Sequence, residues 1–258
     1  METIKFSSLE ELHNNSHYYD QGFESKLYRY IYGNEELLFK EYYDYDRIKL
    51  DKIEKISSLK TEALVKPKFL LQVNDEILGF GMDFKRGYYP LSIQKKFLTP
   101  EQKYNLIIKI KNILLSLRRE NCVYGDLNLM NILTNGDDVY LCDAVNMKVE
   151  NYGFDETSST MREYIERTKT TDGIDFYMLN LLTVYLFNDM EYEDIINSVL
   201  NAVTCMFNGE PLEKINFVTD TMDDLNMCCD IFLSNKATST LLIDEVSFDK
   251  HNIAGKKI

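Results

Sequence analysis

Residues 124–143 read YGDLNLMNILTNGDDVYLCD, and this stretch governs how the rest of the chain is interpreted. Two short apolar runs flank Asn135-Gly136-Asp137, which is a hairpin turn signal. Asn131 opens the first run and Asp143 closes the second, and the midpoint between them lies inside the turn. Antiparallel pairing about that midpoint would place Asn131 beside Asp143, with Asp126 just before the first strand.

Three oxygen-bearing side chains would therefore meet at the open end of the predicted hairpin. Carboxylate and amide oxygens are the hard ligands that Mg²⁺ requires, and a further carboxylate nearby can orient or deprotonate a hydroxyl. The sequence thus predicts a site for Mg²⁺ and a phosphoryl donor. A surface hairpin with solvated carboxylates is the alternative, since aspartate is common in turns.

The same residues resemble the catalytic core of the protein-kinase-like superfamily. The catalytic loop of that family is H-R-D-L-x-x-x-N, and YGDLNLMN at 124–131 keeps the Asp, the Leu and the Asn at the required spacing. The D-F-G position of the family falls on residues 143–145. The resemblance implies that Asp126 is the catalytic base and that Asn131 and Asp143 hold the metal.

Several positions depart from the family pattern. Tyr124 and Gly125 replace the His and Arg, and Ala144-Val145 replaces the Phe-Gly. Asn128 stands where many protein kinases carry a basic residue two positions after the base. None of these changes removes the base or a metal ligand, but they indicate a divergent member in which activity could have been lost.

A second hairpin is predicted upstream, with strands at 26–30 and 36–40 around Gly33-Asn34. Its second strand resembles the V-A-I-K strand of the family, which implies that Lys40 positions the phosphates. Without the downstream motif, Lys40 would be interpreted as a solvent-facing strand residue.

The stretch before this hairpin resembles the family's glycine-rich loop only weakly. Residues 20–27 fit the spacing G-x-G-x-x-G-x-V with the middle glycine, Gly22, retained. Ser25 is small enough to replace the third glycine. Asp20 and Glu24 bring negative charge toward the expected triphosphate, which is unfavourable unless they are solvated.

An amphipathic helix is predicted within 45–60 from the spacing of its apolar residues. In active kinases a glutamate of this helix pairs with the strand lysine, and the resemblance makes Glu54 the candidate, with Glu62 as the alternative. A third hairpin follows at 69–82, and its last strand resembles the one that leads into the adenine-contacting hinge, beginning near Met82.

Further helices are predicted downstream. A capping box at Thr99-Pro100-Glu101-Gln102 starts a helix that ends near Asn121. The polar stretch 146–171 resembles an activation segment in position. Asp175 then opens an apolar helix that resembles the central helix of the large lobe, whose aspartate braces the catalytic loop, and the chain is predicted to stay helical to about Leu233.

Composition excludes some classes of protein. The chain has 258 residues and a formal net charge of −13, which argues against a nucleic-acid or anionic-membrane surface. Five cysteines without a C-x-x-C pair indicate neither a zinc site nor a disulfide framework, so a cytoplasmic protein is expected. No stretch approaches the about 20 apolar residues of a membrane span, and the N-terminal residues show no apolar targeting segment.

The sequence therefore predicts an α+β, two-lobed, protein-kinase-like fold. Residues 1–82 would form a small antiparallel β-sheet lobe with one helix that binds ATP, and 83–258 a mainly helical catalytic lobe. The expected activity is transfer of the γ-phosphoryl of ATP, with Mg²⁺, to a hydroxyl of an unknown protein or small molecule. A divergent Ser/Thr protein kinase is favoured, because the span from hinge to catalytic loop has room for one long helix only. A pseudokinase scaffold and a small-molecule kinase of the aminoglycoside or choline type are the alternatives.

Overall fold

The computed structural model describes residues 1–158, 161–162, 165, 171 and 173–187. Within them, a multi-stranded sheet is combined with a few helices, so the predicted mixture of α and β structure is confirmed in this coarse form. The predicted helices beyond residue 187 lie outside the described residues.

The strands are β1 (Glu2–Phe6), β2 (Ser16–Gln21), β3 (Ser25–Tyr32), β4 (Glu35–Tyr42), β5 (Pro67–Val73), β6 (Glu76–Asp83), β7 (Tyr89–Pro90), β8 (Cys122–Val123), β9 (Ile132–Thr134), β10 (Val139–Leu141) and β11 (Lys148–Val149). The α-helices are α1 (Leu9–Asn15), α2 (Leu50–Ser58), α3 (Leu91–Gln94), α4 (Pro100–Arg119) and α5 (Ile174–Phe187). Short 3₁₀ turns cover Tyr45–Arg47, Lys95–Phe97 and Ala144–Asn146.

Six strands form the main sheet in the order β1-β5-β6-β4-β3-β2. The predicted hairpins are present, with β3 paired to β4 and β5 paired to β6 in antiparallel register. The prediction of a purely antiparallel sheet with one helix is wrong, because β1 pairs with β5 in parallel and α1 is a second helix in this region. Parallel neighbours need a long connection, and the sequence analysis predicted no strand or helix in the first 19 residues.

The sheet separates two buried clusters. On one face, α1 inserts Leu12 against the strand residues Ile4, Phe39 and Leu71. The other cluster joins the sheet, through residues such as Phe80, to α2, α4, α5 and the hairpin of β9 and β10. This second cluster includes apolar residues on both sides of the loop and hairpin that carry the site described below, such as Leu127 and Leu141.

The long helix α4 starts as its sequence predicts. Thr99 Oγ1 accepts from the backbone N–H of Gln102 at 3.2 Å, and Gln102 Oε1 accepts from the backbone N–H of Thr99 at 3.0 Å. A cap of this kind contributes about 1 kcal/mol. The predicted apolar stripe is buried, and it comprises Ile107, Ile110, Leu114 and Leu117. The helix therefore delivers the chain to β8 and the loop that carries Asp126.

No helix among the described residues has both the length and the apolar character needed to cross a membrane.

Candidate functional site

The loop between β8 and β9 gathers amide side chains around Asp126. Asn128 Nδ2 donates to Asp126 Oδ1 at 3.0 Å, and Asn131 Nδ2 donates to Asp126 Oδ2 at 2.7 Å. Burial raises the pKa of Asp126, hydrogen bonds from the neighbouring amides lower it, and the nearby charge of Asp143 raises it again, with a net upward shift. The carboxylate is thus fixed by residues that are close to it in sequence.

Asp175 holds the start of this loop from α5. Its two carboxylate oxygens accept from the backbone N–H groups of Tyr124, at 2.9 Å, and Gly125, at 2.6 Å. Burial raises the pKa of Asp175 to about 6, against the lowering effect of those two hydrogen bonds. The contact predicted between the aspartate of this helix and the catalytic loop backbone is present. Tyr124 donates its hydroxyl to the carbonyl of Cys142.

The predicted hairpin is formed by β9 and β10, but its register differs by one residue. Thr134 pairs with Val139, so Asn131 lies opposite Cys142, whose N–H donates to the Asn131 carbonyl at 2.9 Å. Asp143 follows one position later. The reason is the turn, because the side chain of Asn135 accepts from the N–H groups of both Asp137 and Asp138, which makes a four-residue loop.

Asp143 adopts a left-handed backbone conformation, with φ 56° and ψ 40°, between β10 and the 3₁₀ turn at Ala144–Asn146. This conformation costs a residue with a side chain about 1 kcal/mol or more and is found mainly where the surroundings enforce it. The enforced turn redirects the carboxylate out of the strand and toward Lys40.

Lys40 lies on β4 and is almost fully buried. Its ammonium donates to Asp143 Oδ1 at 2.7 Å and to Glu24 Oε1 at 2.6 Å. Burial lowers the pKa of Lys40, but the charges of Asp143 and Glu24 outweigh this effect, so the pKa is raised and the side chain stays charged. The pair joins two residues that are 103 positions apart in the chain.

The neighbouring strand leaves room for this lysine only because it carries a glycine. A Cβ on Gly79 of β6 would lie 1.8 Å from the backbone carbonyl oxygen of Lys40. A side chain there would push β4 away from β6 and displace Lys40.

The helix glutamate predicted to pair with Lys40 does not do so. Glu54 is exposed on α2, and its carboxylate lies 3.7 Å from the amino group of Met1. Glu62 is also exposed. The face of α2 that is buried carries Lys52, Ile53 and Ile56, and Glu54 projects away from it. The carboxylate next to Lys40 comes instead from Glu24, in the loop between β2 and β3.

The three remaining predicted nucleotide-binding residues have different surroundings. Gly22 lies at the exposed loop between β2 and β3, and its N–H donates to the Ser25 carbonyl at 2.8 Å. Ser25 is buried as the first residue of β3. Met82 is buried in the cluster beneath the sheet. Of these three residues, Gly22 is the one exposed to solvent.

Two contributors to this region were missed at the level of sequence, Lys52 and Asn128. Lys52 is fully buried on the apolar face of α2, and a charged residue in phase with the apolar positions of a helix was the available signal. Asn128 was recognised only as the loss of a basic residue, although its side chain orients Asp126.

The donor set fits a hard divalent cation that keeps several waters. Among the described residues no group of three or more His, Cys, Asp and Glu side chains forms a metal cage. The site offers instead the carboxylate of Asp143 and the amide oxygen of Asn131, whose nitrogen is used in the contact with Asp126. Mg²⁺ is commonly bound by one or two protein oxygens together with substrate phosphates.

No protein-family model matches the chain, and a search of curated proteins finds no significant match.

Proposed function

We propose that this protein is an ATP- and Mg²⁺-dependent phosphotransferase with a divergent, two-lobed, protein-kinase-like architecture. The observation that carries the proposal is the ion pair of Lys40 and Asp143, at 2.7 Å. This pair brings together a lysine of the main sheet and the aspartate that follows the hairpin, and the charge of Asp143 also acts on Asp126.

Each side chain has a role in this scheme. Lys40 would contact the phosphates of ATP, and Asn131 and Asp143 would hold the metal. Bound Mg²⁺ would neutralise phosphate charge during transfer. Asp126, held by two amides, would orient the acceptor hydroxyl and take its proton. Positioning and charge neutralisation carry most of such a reaction, so a small set of residues suffices.

We favour a Ser/Thr protein acceptor. Between Met82 and Asp126 the chain forms one long helix, α4, and the single turn of α3. Small-molecule kinases of the aminoglycoside and choline types resemble this chain in the core motif but usually carry extra helices in this span. We further infer a cytoplasmic enzyme from the cysteine pattern, and no nucleic-acid partner from the acidic charge.

A nucleotide-binding scaffold without catalysis is the second candidate. It is favoured by the glycine-rich loop, of which only Gly22 is retained, and by Ala144-Val145 in place of the Phe-Gly after the metal-binding aspartate. The two candidates share the binding step and differ in phosphoryl transfer.

The test compares Asp143→Asn with Asp138→Asn, a variant that removes a carboxylate from the same hairpin at an exposed ion pair with Lys109. Calorimetric titration with ATP, with Mg²⁺ or with EDTA, measures binding. Radiolabelled γ-phosphate transfer to peptide libraries and to hydroxylated small molecules measures turnover. We expect Mg²⁺-dependent binding by the wild type and by Asp138→Asn, and its loss in Asp143→Asn.

Wild-type protein that binds no nucleotide in the presence of Mg²⁺ would contradict both candidates. Binding without transfer to any acceptor would favour the scaffold. Unchanged Mg²⁺-ATP affinity and turnover in Asp143→Asn would remove the proposed metal site.

A further inference from the structure

Residues 150–156, here called the docked segment, are held against α2 by a buried charge. Lys52 is fully buried, and its ammonium donates to Asp155 Oδ2 at 2.8 Å and to the Gly153 carbonyl at 3.0 Å. Lys49 donates to the other oxygen of Asp155 at 2.6 Å. Asp155 itself is exposed, but its loss would leave the buried ammonium of Lys52 with the Gly153 carbonyl as its acceptor, which should weaken docking. Asp155 is therefore the anchor of the segment.

Other contacts between the docked segment and this side of the molecule are exposed. Arg47 lies 3.3 Å from Glu156, and Lys55 pairs with Glu150. Exposed pairs of this kind contribute little to stability. They provide controls that remove a charge from the same two elements without touching a buried group.

The opposite side of the docked segment packs on the catalytic loop. Gly125 has a φ of +75°, and a Cβ there would lie 2.3 Å from the ring of Phe154 and 2.6 Å from Cε of Met161. The residue before Asp126 is thus a glycine for two reasons, its backbone conformation and the aromatic ring that covers it. Phe154 occupies the place that a side chain at position 125 would need.

Asn146, in the 3₁₀ turn after Asp143, holds the docked segment by its end. Its side-chain oxygen accepts from the N–H of Glu156 at 2.6 Å, and its carbonyl accepts from the N–H of Asp155 at 3.4 Å. The amide of Asn146 also lowers the pKa of Asp126, against the larger effect of burial. Contacts therefore run from Lys52 through Asp155 to Asn146, and through Phe154 to Gly125, the residue before Asp126.

We propose that Asp155 is a positioning residue, which by pairing with Lys52 fixes the docked segment between α2 and the catalytic loop and so holds Phe154 over Gly125, next to Asp126. The role in catalysis rests on the proposed phosphotransferase function. In many protein kinases an arginine before the catalytic aspartate orders the activation segment through a phosphate. Here the pair of Asp155 with the buried Lys52, together with Phe154, supplies that order from within the chain.

The test compares Asp155→Asn with Glu150→Gln, the exposed control. Backbone amide hydrogen exchange over 144–156 reports whether the segment is docked, and kcat and KM for Mg²⁺-ATP report catalysis. In Asp155→Asn we expect faster exchange and a kcat lower by about 10- to 100-fold, the usual effect of a small misplacement of a catalytic group. KM for ATP should change less than about threefold, since Lys40 and Asp143 are untouched. Glu150→Gln should resemble the wild type in every measurement.

Exchange in Asp155→Asn that matches the control would overturn the proposal, and so would faster exchange with an unchanged kcat. If the wild type transfers phosphate to no acceptor, the proposed function fails and the catalytic role of Asp155 fails with it. The exchange comparison would then still show separately whether Asp155 anchors the segment.

Lys52→Met provides a second route if Asp155→Asn does not fold. The methionine fills the space of the lysine stem and leaves no buried charge, so the protein should remain folded. The proposal expects this variant to show the same faster exchange and lowered kcat. Asp155→Glu keeps the charge and should recover part of both, whereas folded protein with wild-type exchange and kcat in Lys52→Met would overturn the proposal.

Discussion

The two sides of the candidate site are built in different ways. On the side of Asp126, the contacts come from Asn128 and Asn131, which are two and five residues away in the chain. On the side of Lys40, they come from Glu24 and Asp143, which are 16 and 103 residues away. A local loop fixes the carboxylate of Asp126. The contacts of Lys40 depend instead on how the main sheet packs against the hairpin of β9 and β10.

Because of this difference, the two sides should respond differently to amino-acid substitutions. The Asp126 side has several donors that share one task, so loss of one amide leaves others in place. The Lys40 side brings one ammonium and two carboxylates together in a largely buried place. Removing any one of these three charged groups changes the net charge around Lys40, and binding of an anionic nucleotide would change it as well.

The largest effect is expected at the local side. Asp126→Asn keeps the shape of the loop but removes the group that would take a proton, so turnover should fall by about 10²- to 10⁴-fold. ATP affinity, which depends on the other side, should stay within about threefold of the wild type. Titration calorimetry and single-turnover transfer measure the two quantities separately. Similar losses in affinity and turnover would mean that the two sides do not act separately.

The sequence predicted the local side well and the distant side poorly. The spacing of Asp126 and Asn131 is a property of one loop, and a turn signal located the hairpin to within one residue of register. The partner of Lys40 was assigned to Glu54 from the resemblance alone, without regard to the phase of the helix, whose buried face carries Ile53 and Ile56. Glu24 was noted only as an unfavourable charge, since its contact depends on the packing of a loop over β4.

A second, smaller effect is expected on stability, from the buried contact between Asp175 and the start of the loop that carries Asp126. Asp175→Asn leaves only one oxygen for the N–H groups of Tyr124 and Gly125, so one buried donor loses its partner. The cost should be about 1–3 kcal/mol in the free energy of unfolding. Urea denaturation of the described fold, monitored by circular dichroism, measures it.

That stability difference should depend on pH in a defined direction. Burial raises the pKa of Asp175 from 3.8 to about 6, so the folded protein binds this proton more tightly than the unfolded chain. The contribution of Asp175 is fully present below about pH 4 and is lost as the pH rises through about 6. The advantage of wild type over Asp175→Asn should therefore narrow between pH 4 and pH 7. A widening gap over that range would contradict the assignment.

A further, smaller effect is expected on the lysine side. Glu24→Gln removes a negative charge 2.6 Å from the ammonium of Lys40, where phosphates would bind. We expect Mg²⁺-ATP to bind about tenfold more tightly, which corresponds to about 1.4 kcal/mol. Glu54→Gln, exposed on α2, is the matched control and should change nothing. Weaker binding in Glu24→Gln would show that Glu24 orients Lys40 rather than competing with the nucleotide.

The smallest effect is expected from the hydroxyl groups that follow the docked segment, at Thr157, Ser158, Ser159 and Thr160. Ser159 and Thr160 lie outside the described residues. Gly125 offers no cation for a phosphate, and Phe154 already covers it. If the pair of Lys52 and Asp155 orders the docked segment, activity does not require a phosphate on these hydroxyls to order it. The variant with alanine at all four positions should therefore keep its initial rate within about tenfold, or about 1.4 kcal/mol of barrier. A larger loss of rate in a variant that folds and binds ATP would contradict this expectation. It would show that the segment needs a phosphate, and that the pair of Lys52 and Asp155 alone does not order it.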